Sequence, residues 1–65
     1  MKQQKYMTTK EVAEYLRMTP ARIYILARQK KIPFGKAEGH LLFDREVIDR
    51  WLIKPEQTLK DWFQN

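Results

Sequence analysis

The sequence predicts a mainly α-helical fold carrying one small β-hairpin, and three observations lead there. Two helix start signals, at Thr8 and at Thr19-Pro20, stand close together, and each precedes apolar residues at helical spacing. A glycine-bearing stretch followed by alternating apolar residues occupies Phe34 to Phe43. A third start signal, Asp44, opens a further amphipathic pattern.

The first helix is expected from Thr8 to Arg17. Thr8 is followed three residues later by Glu11, the reciprocal side-chain and backbone pairing of a capping box. Met7 and Val12 stand at the spacing of a hydrophobic staple, which fixes how the chain enters the helix. Val12, Ala13, Tyr15 and Leu16 then form the apolar face, and Lys10, Glu11, Glu14 and Arg17 fill the other. The second helix runs from Pro20 to about Lys30. Thr19 supplies its capping hydroxyl, and proline suits a first helical position, where its missing N–H costs nothing. Ile23, Leu26 and Ala27 mark its buried face. Its exit lacks the usual glycine: Gln29-Lys30-Lys31 stands there, with cations that oppose the macrodipole. Ile32-Pro33 forces extended backbone and ends the helix.

Only Arg17-Met18-Thr19 separates the two helices, so the chain must turn a tight corner. Two short helices at a sharp angle, the second with free basic and polar side chains, is the geometry of a helix-turn-helix. Phe34 to Phe43 reads as a hairpin, with Gly35 to Gly39 as its turn and Leu41 and Phe43 alternating with His40 and Leu42. Too small to stand alone, it must pack on the helices as a wing. Asp44 caps a third helix with an apolar stripe of Val47, Ile48, Trp51 and Leu52, and Trp51 is expected as the largest side chain of the core. Lys54-Pro55 ends that helix. Pro55 can open a fourth, running to about Phe63 with Leu59, Trp62 and Phe63 apolar. It either folds back on the third helix near Trp51 or leaves an apolar patch for another protein.

The totals narrow the function. A chain of 65 residues is one domain, 1–65, with residues 1–5 a polar, flexible tail. A domain this small buries only about 60% of the surface its unfolded chain exposes. With no cysteine and one histidine, neither a disulfide framework nor a cysteine zinc site is available, and no cofactor is expected. An apolar share of 43% with eight aromatic residues argues for a real core. Thirteen Lys and Arg against eight Asp and Glu give a net charge of +5 and a pI near 9.8, a bias toward a polyanionic partner. The N-terminus lacks the apolar core of a signal peptide, and no apolar run approaches the roughly 20 residues that span a bilayer. A soluble, cytoplasmic protein without a membrane partner is the expectation. Enzymatic function is the least favoured class: the sequence has no glycine-rich phosphate loop, and its acidic pair Asp44 and Glu46 sits where helix capping already explains it.

The string Met7-Thr8-Thr9-Lys10-Glu11-Val12-Ala13-Glu14-Tyr15-Leu16 resembles the opening of the excisionase-type, MerR-like winged helix-turn-helix DNA-binding domains. Thr19, Ile23-Tyr24, Lys31-Ile32-Pro33 and the segment from Phe43 to Trp51-Leu52 continue the likeness in order. The resemblance implies a winged helix-turn-helix of three core helices plus the C-terminal fourth. It implies double-stranded DNA as partner, the second helix in the major groove, and the wing on the neighbouring backbone or minor groove. Its members include excisionases, which direct recombination, and small transcription regulators, several of which bind repeated sites side by side. Self-association on DNA and a protein partner such as an integrase follow as expectations. This sequence departs from the pattern at Lys30, where glycine is usual, at Pro20 and Ile25, where arginine or a polar residue is common, and at Leu42, commonly basic.

Arg22 and Arg28 lead the candidates for DNA contact, since arginine can donate two hydrogen bonds to guanine O6 and N7. Ala21, Tyr24 and Ile25 share the outward face. Apolar groups there can meet a thymine methyl, and a tyrosine hydroxyl can bond a phosphate. Tyr24 packing on the wing, and Ile25 as a protein contact, are the competing readings. Gln29 suits adenine or a phosphate. Lys30, Lys31, Lys36 and His40 at the helix exit and wing, with Arg17 and Lys10 on the first helix, are candidate phosphate ligands, against the plainer reading of solvated charges. The alternative function is a protein-interaction adaptor that keeps the fold and works through Ile25, Leu42 and the C-terminal aromatic residues.

Overall fold

The computed structural model describes residues 5–64. Its elements are β1 (Tyr6–Met7), α1 (Thr9–Leu16), α2 (Pro20–Arg28), β2 (Gly35–Ala37), β3 (His40–Asp44), α3 (Arg45–Ile53) and α4 (Pro55–Phe63). Apart from Lys5, the expected tail lies outside the described residues.

The starts of α1, α2 and α3 follow from side-chain oxygens, and α4 opens at Pro55 with no side-chain cap. Thr8 accepts from the Glu11 amide at 3.2 Å, while its own amide donates to the Glu11 carboxylate at 2.9 Å, so the capping box is complete. Thr19 accepts from the Arg22 amide at 3.2 Å ahead of Pro20. Asp44 takes the amides of Glu46 and Val47 at 2.9 and 3.3 Å. These donors are among the four that every helix start leaves without an internal partner.

α3 ends before Lys54-Pro55 and α4 runs to Phe63, as expected, but the exits of α1 and α2 differ from expectation. α2 stops at Arg28 rather than about Lys30, because Lys30 turns left-handed at φ 57°. The Lys31 amide then donates to the Leu26 carbonyl at 2.8 Å and the Lys30 amide to that of Ala27 at 3.0 Å. That pair of bonds is a Schellman exit, made here by lysine in the place glycine usually takes. α1 ends the same way. Arg17 is left-handed at φ 59°, and Met18 donates to the Ala13 carbonyl at 2.7 Å.

The sheet is antiparallel with order β1-β3-β2, so β3 lies at its centre. β2 and β3 pair Gly35 with Leu42, Lys36 with Leu41 and Ala37 with His40. Gly35 to Ala37 is therefore strand, and the turn shrinks to Glu38-Gly39. Both turn residues have positive φ, 53° and 82°, which suits the right-handed strand twist of a two-residue hairpin. β1 was not expected. It pairs Tyr6 with Asp44 and Met7 with Phe43, which ties the entry of α1 to the exit of the wing.

The core joins Met7, Val12, Ala13, Ile23, Ala27, Ile32, Phe43 and Ile48, with Leu16, Met18, Leu26, Phe34, Leu41 and Trp51 packed partly buried against them. Phe43, not Trp51, is the largest fully buried side chain. Two residues expected on apolar stripes are exposed: Tyr15 at 38% and Leu52 at 55%. α4 forms, folds back on α3, and buries Thr58. Among the described residues no helix is long and apolar enough to cross a membrane.

Candidate nucleic-acid interface

α2 buries Ile23 and Ala27 and half-buries Leu26, which leaves Ala21, Arg22, Tyr24, Ile25, Arg28 and Gln29 exposed. At about 100° per residue, the order around that free face is Tyr24, Arg28, Ala21, Ile25, Gln29, Arg22. The small and apolar pair Ala21 and Ile25 thus forms a midline, flanked by Arg28 on one side and Arg22 on the other. The two arginines project about 120° apart around the helix axis. Neither lies beneath α3, since both are exposed.

The wing stands beside one edge of this face. An open cleft of about 440 Å³ lies between helix and hairpin, lined by Tyr24, Ala27, Arg28, Phe34, Lys36, Gly39 and Leu41. A second, of about 280 Å³, is lined by Thr8, Thr9, Lys10, Tyr24, Gly39, His40, Leu41 and Leu42. Tyr24, 53% exposed, is a wall common to both. The fold therefore brings together Arg28, Tyr24 and Lys36 in one cleft, and Lys10, Tyr24 and His40 in the other.

Other candidates are set apart. Lys36 stands opposite Leu41 and His40 opposite Ala37, so the two basic wing residues project from opposite faces of the hairpin. Lys30 turns toward α4, its ammonium 5.9 Å from the centre of the Phe63 ring. Lys31 and Arg17 are exposed at the exits of α2 and α1. Arg22 and Gln29 share the side of α2 away from the wing.

The charge pattern supplies a signal that total charge hides. Between Glu14 and Glu38 the chain carries six cations, Arg17, Arg22, Arg28, Lys30, Lys31 and Lys36, and no acidic residue. All eight acidic residues, with the seven remaining cations, lie outside that segment. The acid-free segment comprises the turn, α2, its exit and β2, so the positive potential gathers on the helix-turn-helix and the first strand of the wing.

A different chemistry occupies the side where α1 meets α3. The Tyr15 hydroxyl donates to the Asp49 carboxylate, and the Arg45 guanidinium lies 4.8 Å from the centre of the Tyr15 ring. The bond to Asp49, then desolvation and the Asp49 charge, hold the tyrosine pKa above its ordinary value, and Arg45 opposes them. Met7, Glu11, Glu14, Tyr15 and Arg45 line a shallow cleft there of about 380 Å³. The pairing of Tyr15 with Asp49 spans 34 residues, so no local pattern announces it.

No curated protein and no solved structure matches the chain significantly. The helix-turn-helix domain family matches it over residues 6–54, from β1 to the end of α3. With the start signals, the three-residue corner and the hairpin all in place over that span, the chain belongs to this excisionase-like family of helix-turn-helix DNA-binding domains.

Proposed function

We propose that this domain is a non-enzymatic, sequence-specific binder of double-stranded DNA, with α2 in the major groove and the hairpin as a MerR-like wing on the backbone or minor groove. The observation that carries the reading is the acid-free segment, which places Arg22 and Arg28 on the free face of α2 and Arg28 with Lys36 in the cleft beside it. A major groove about 12 Å wide admits one helix. Ala21 and Ile25 on the midline suit thymine methyl groups, and Arg22 and Arg28 suit guanine edges on either flank. The DNA strand between the two grooves would pass along the cleft, where Lys36 and the Tyr24 hydroxyl meet phosphate. His40 and Lys10 serve the neighbouring cleft, and Arg17, Lys31 and Gln29 hold backbone or edge contacts at the rim, while Lys30 stays over Phe63. Such a factor works in the cytoplasm, as a recombination directionality factor of the excisionase kind or as a small transcription regulator.

The test is selection of duplexes from a random pool, followed by titration at several salt concentrations. Each neutralised phosphate contributes about −0.9 to the slope of log affinity against log salt. The four phosphate-directed cations, Lys10, Arg17, Lys31 and Lys36, therefore predict a slope of about −3.6. A flat response, or a pool that yields no preferred sequence, would sink the reading.

A protein-contact role is supported by exposed apolar residues: Ile25 at 48% on α2, and Leu52 at 55% and Ile53 at 78% at the end of α3. Of the C-terminal aromatic residues, Phe63 packs on Phe34, while Trp62 bonds the Phe34 carbonyl yet stays 40% exposed. An integrase-like partner on that edge would add to DNA binding rather than replace it. Co-purification lost on Leu52→Ser but kept on Arg28→Ala is its mark.

A further inference from the structure

α4 lies beyond the span that the family covers, yet it touches the binding elements at their roots. The Trp62 indole N–H donates to the Phe34 carbonyl at 2.7 Å, one residue before β2 begins. The Phe63 ring sits 5.6 Å from that of Phe34, tilted by 58°, a favourable arrangement for two aromatic rings. Lys30, the residue that turns the chain out of α2, holds its ammonium over the same Phe63 ring at cation–π distance. The last turn of α4 thus grips both ends of the segment that carries the chain from α2 to the hairpin. Trp62 also borders a cleft of about 220 Å³ with Tyr6, Gly35, Lys36, Leu42 and Asp44.

A two-stranded hairpin is marginal by itself, so its orientation depends on what holds its base. We infer that α4 is a strap that fixes the wing relative to α2, with Trp62 and Phe63 as positioning residues. They need touch no DNA. They act through Phe34 on the cleft where Arg28 and Lys36 face one strand of the duplex. The geometry stands by itself, and the effect on DNA rests on the function proposed above.

The test uses the full chain with Trp62→Phe, which keeps an aromatic ring and removes the N–H, and with Phe63→Leu as a second variant. Amide hydrogen exchange of β2 and β3 is measured without DNA. Affinity for short random-sequence duplex DNA is measured with and without Lys36→Ala. Both variants are expected to keep the helical circular dichroism, to exchange wing amides roughly tenfold faster, and to bind DNA several-fold more weakly. In the Trp62→Phe background Lys36→Ala should cost less than in the wild type, because an unstrapped wing no longer delivers the lysine; the double-mutant cycle reads that coupling. Unchanged wing exchange in both variants, or strict additivity of Trp62→Phe and Lys36→Ala, overturns the inference. Should Trp62→Phe fail to fold, Phe63→Leu carries the same measurements. A wild type without salt-dependent affinity for duplexes would overturn the DNA reading instead, and the exchange data would still decide the strap.

Discussion

Arg17 and Lys30 hold backbone that glycine would occupy without strain, at φ 59° and 57°. Left-handed geometry costs a residue with a Cβ on the order of 1 kcal/mol. Arg17→Gly is therefore expected to raise stability by about 0.5–1 kcal/mol, read from urea unfolding. Lys30→Gly should gain less, because it also removes the cation above Phe63. Tyr15 adds a pH effect whose sign follows from its raised pKa. A neutral hydroxyl bonded to Asp49 favours the folded state, so the contribution is whole below the unfolded tyrosine value of about 10 and is lost as pH rises through the folded value. Urea midpoints of the wild type should fall above about pH 10, and Tyr15→Phe should flatten that fall.

At the scale of elements, what was legible is what side chains announce locally. Thr8, Thr19 and Asp44 each place an oxygen on the first free amides, and the starts of α1, α2 and α3 were readable from them. The exits of α1 and α2 were not, because Arg17 and Lys30 take the left-handed exit without the glycine that would mark it, whereas Pro55 marked the end of α3 and the start of α4. β1 was hidden for another reason. Two residues cannot display a period of two, and Tyr6-Met7 becomes a strand only by pairing with Asp44 and Phe43. Gly35 to Ala37 was hidden by its composition: a glycine and a lysine look like a turn until Leu41 and Leu42 pair with them. The free face of α2 was readable by periodicity, while the separation of Lys36 from His40 needed the hairpin register. α4 brings a prediction of its own. Thr58 is 2% exposed and its hydroxyl has no hydrogen-bond partner among the described residues. Leaving such a group buried costs about 1–3 kcal/mol, so the near-isosteric Thr58→Val should stabilise the domain. A gain of about 1 kcal/mol would raise the melting temperature by roughly 4–8 °C. A lower melting temperature would mean that the hydroxyl has a partner after all.

At the scale of the whole molecule, the extents of 32 × 25 × 25 Å set how copies can share a duplex. One turn of B-DNA rises about 34 Å, so two copies on one face at that spacing just fit beside each other. A single module of this kind buries only about 600–1,000 Å² on DNA, which favours paired sites. Two target copies about 10 bp apart are expected to bind cooperatively, and a half-turn shift should abolish the cooperativity; gel-shift titrations on the two spacings decide it.

The central place of β3 also bears on how the chain reaches this state. α1, the corner and α2 meet through contacts close in sequence, and the two-residue turn lets β2 find β3 quickly. Met7 and Phe43 must instead close a long loop before β1 can pair. The helical corner and the hairpin should therefore assemble early and independently, with the N-terminal strand seating last as the latch that makes folding cooperative. Met7→Ala should then speed unfolding far more than it slows folding, whereas Ile23→Val should slow folding itself.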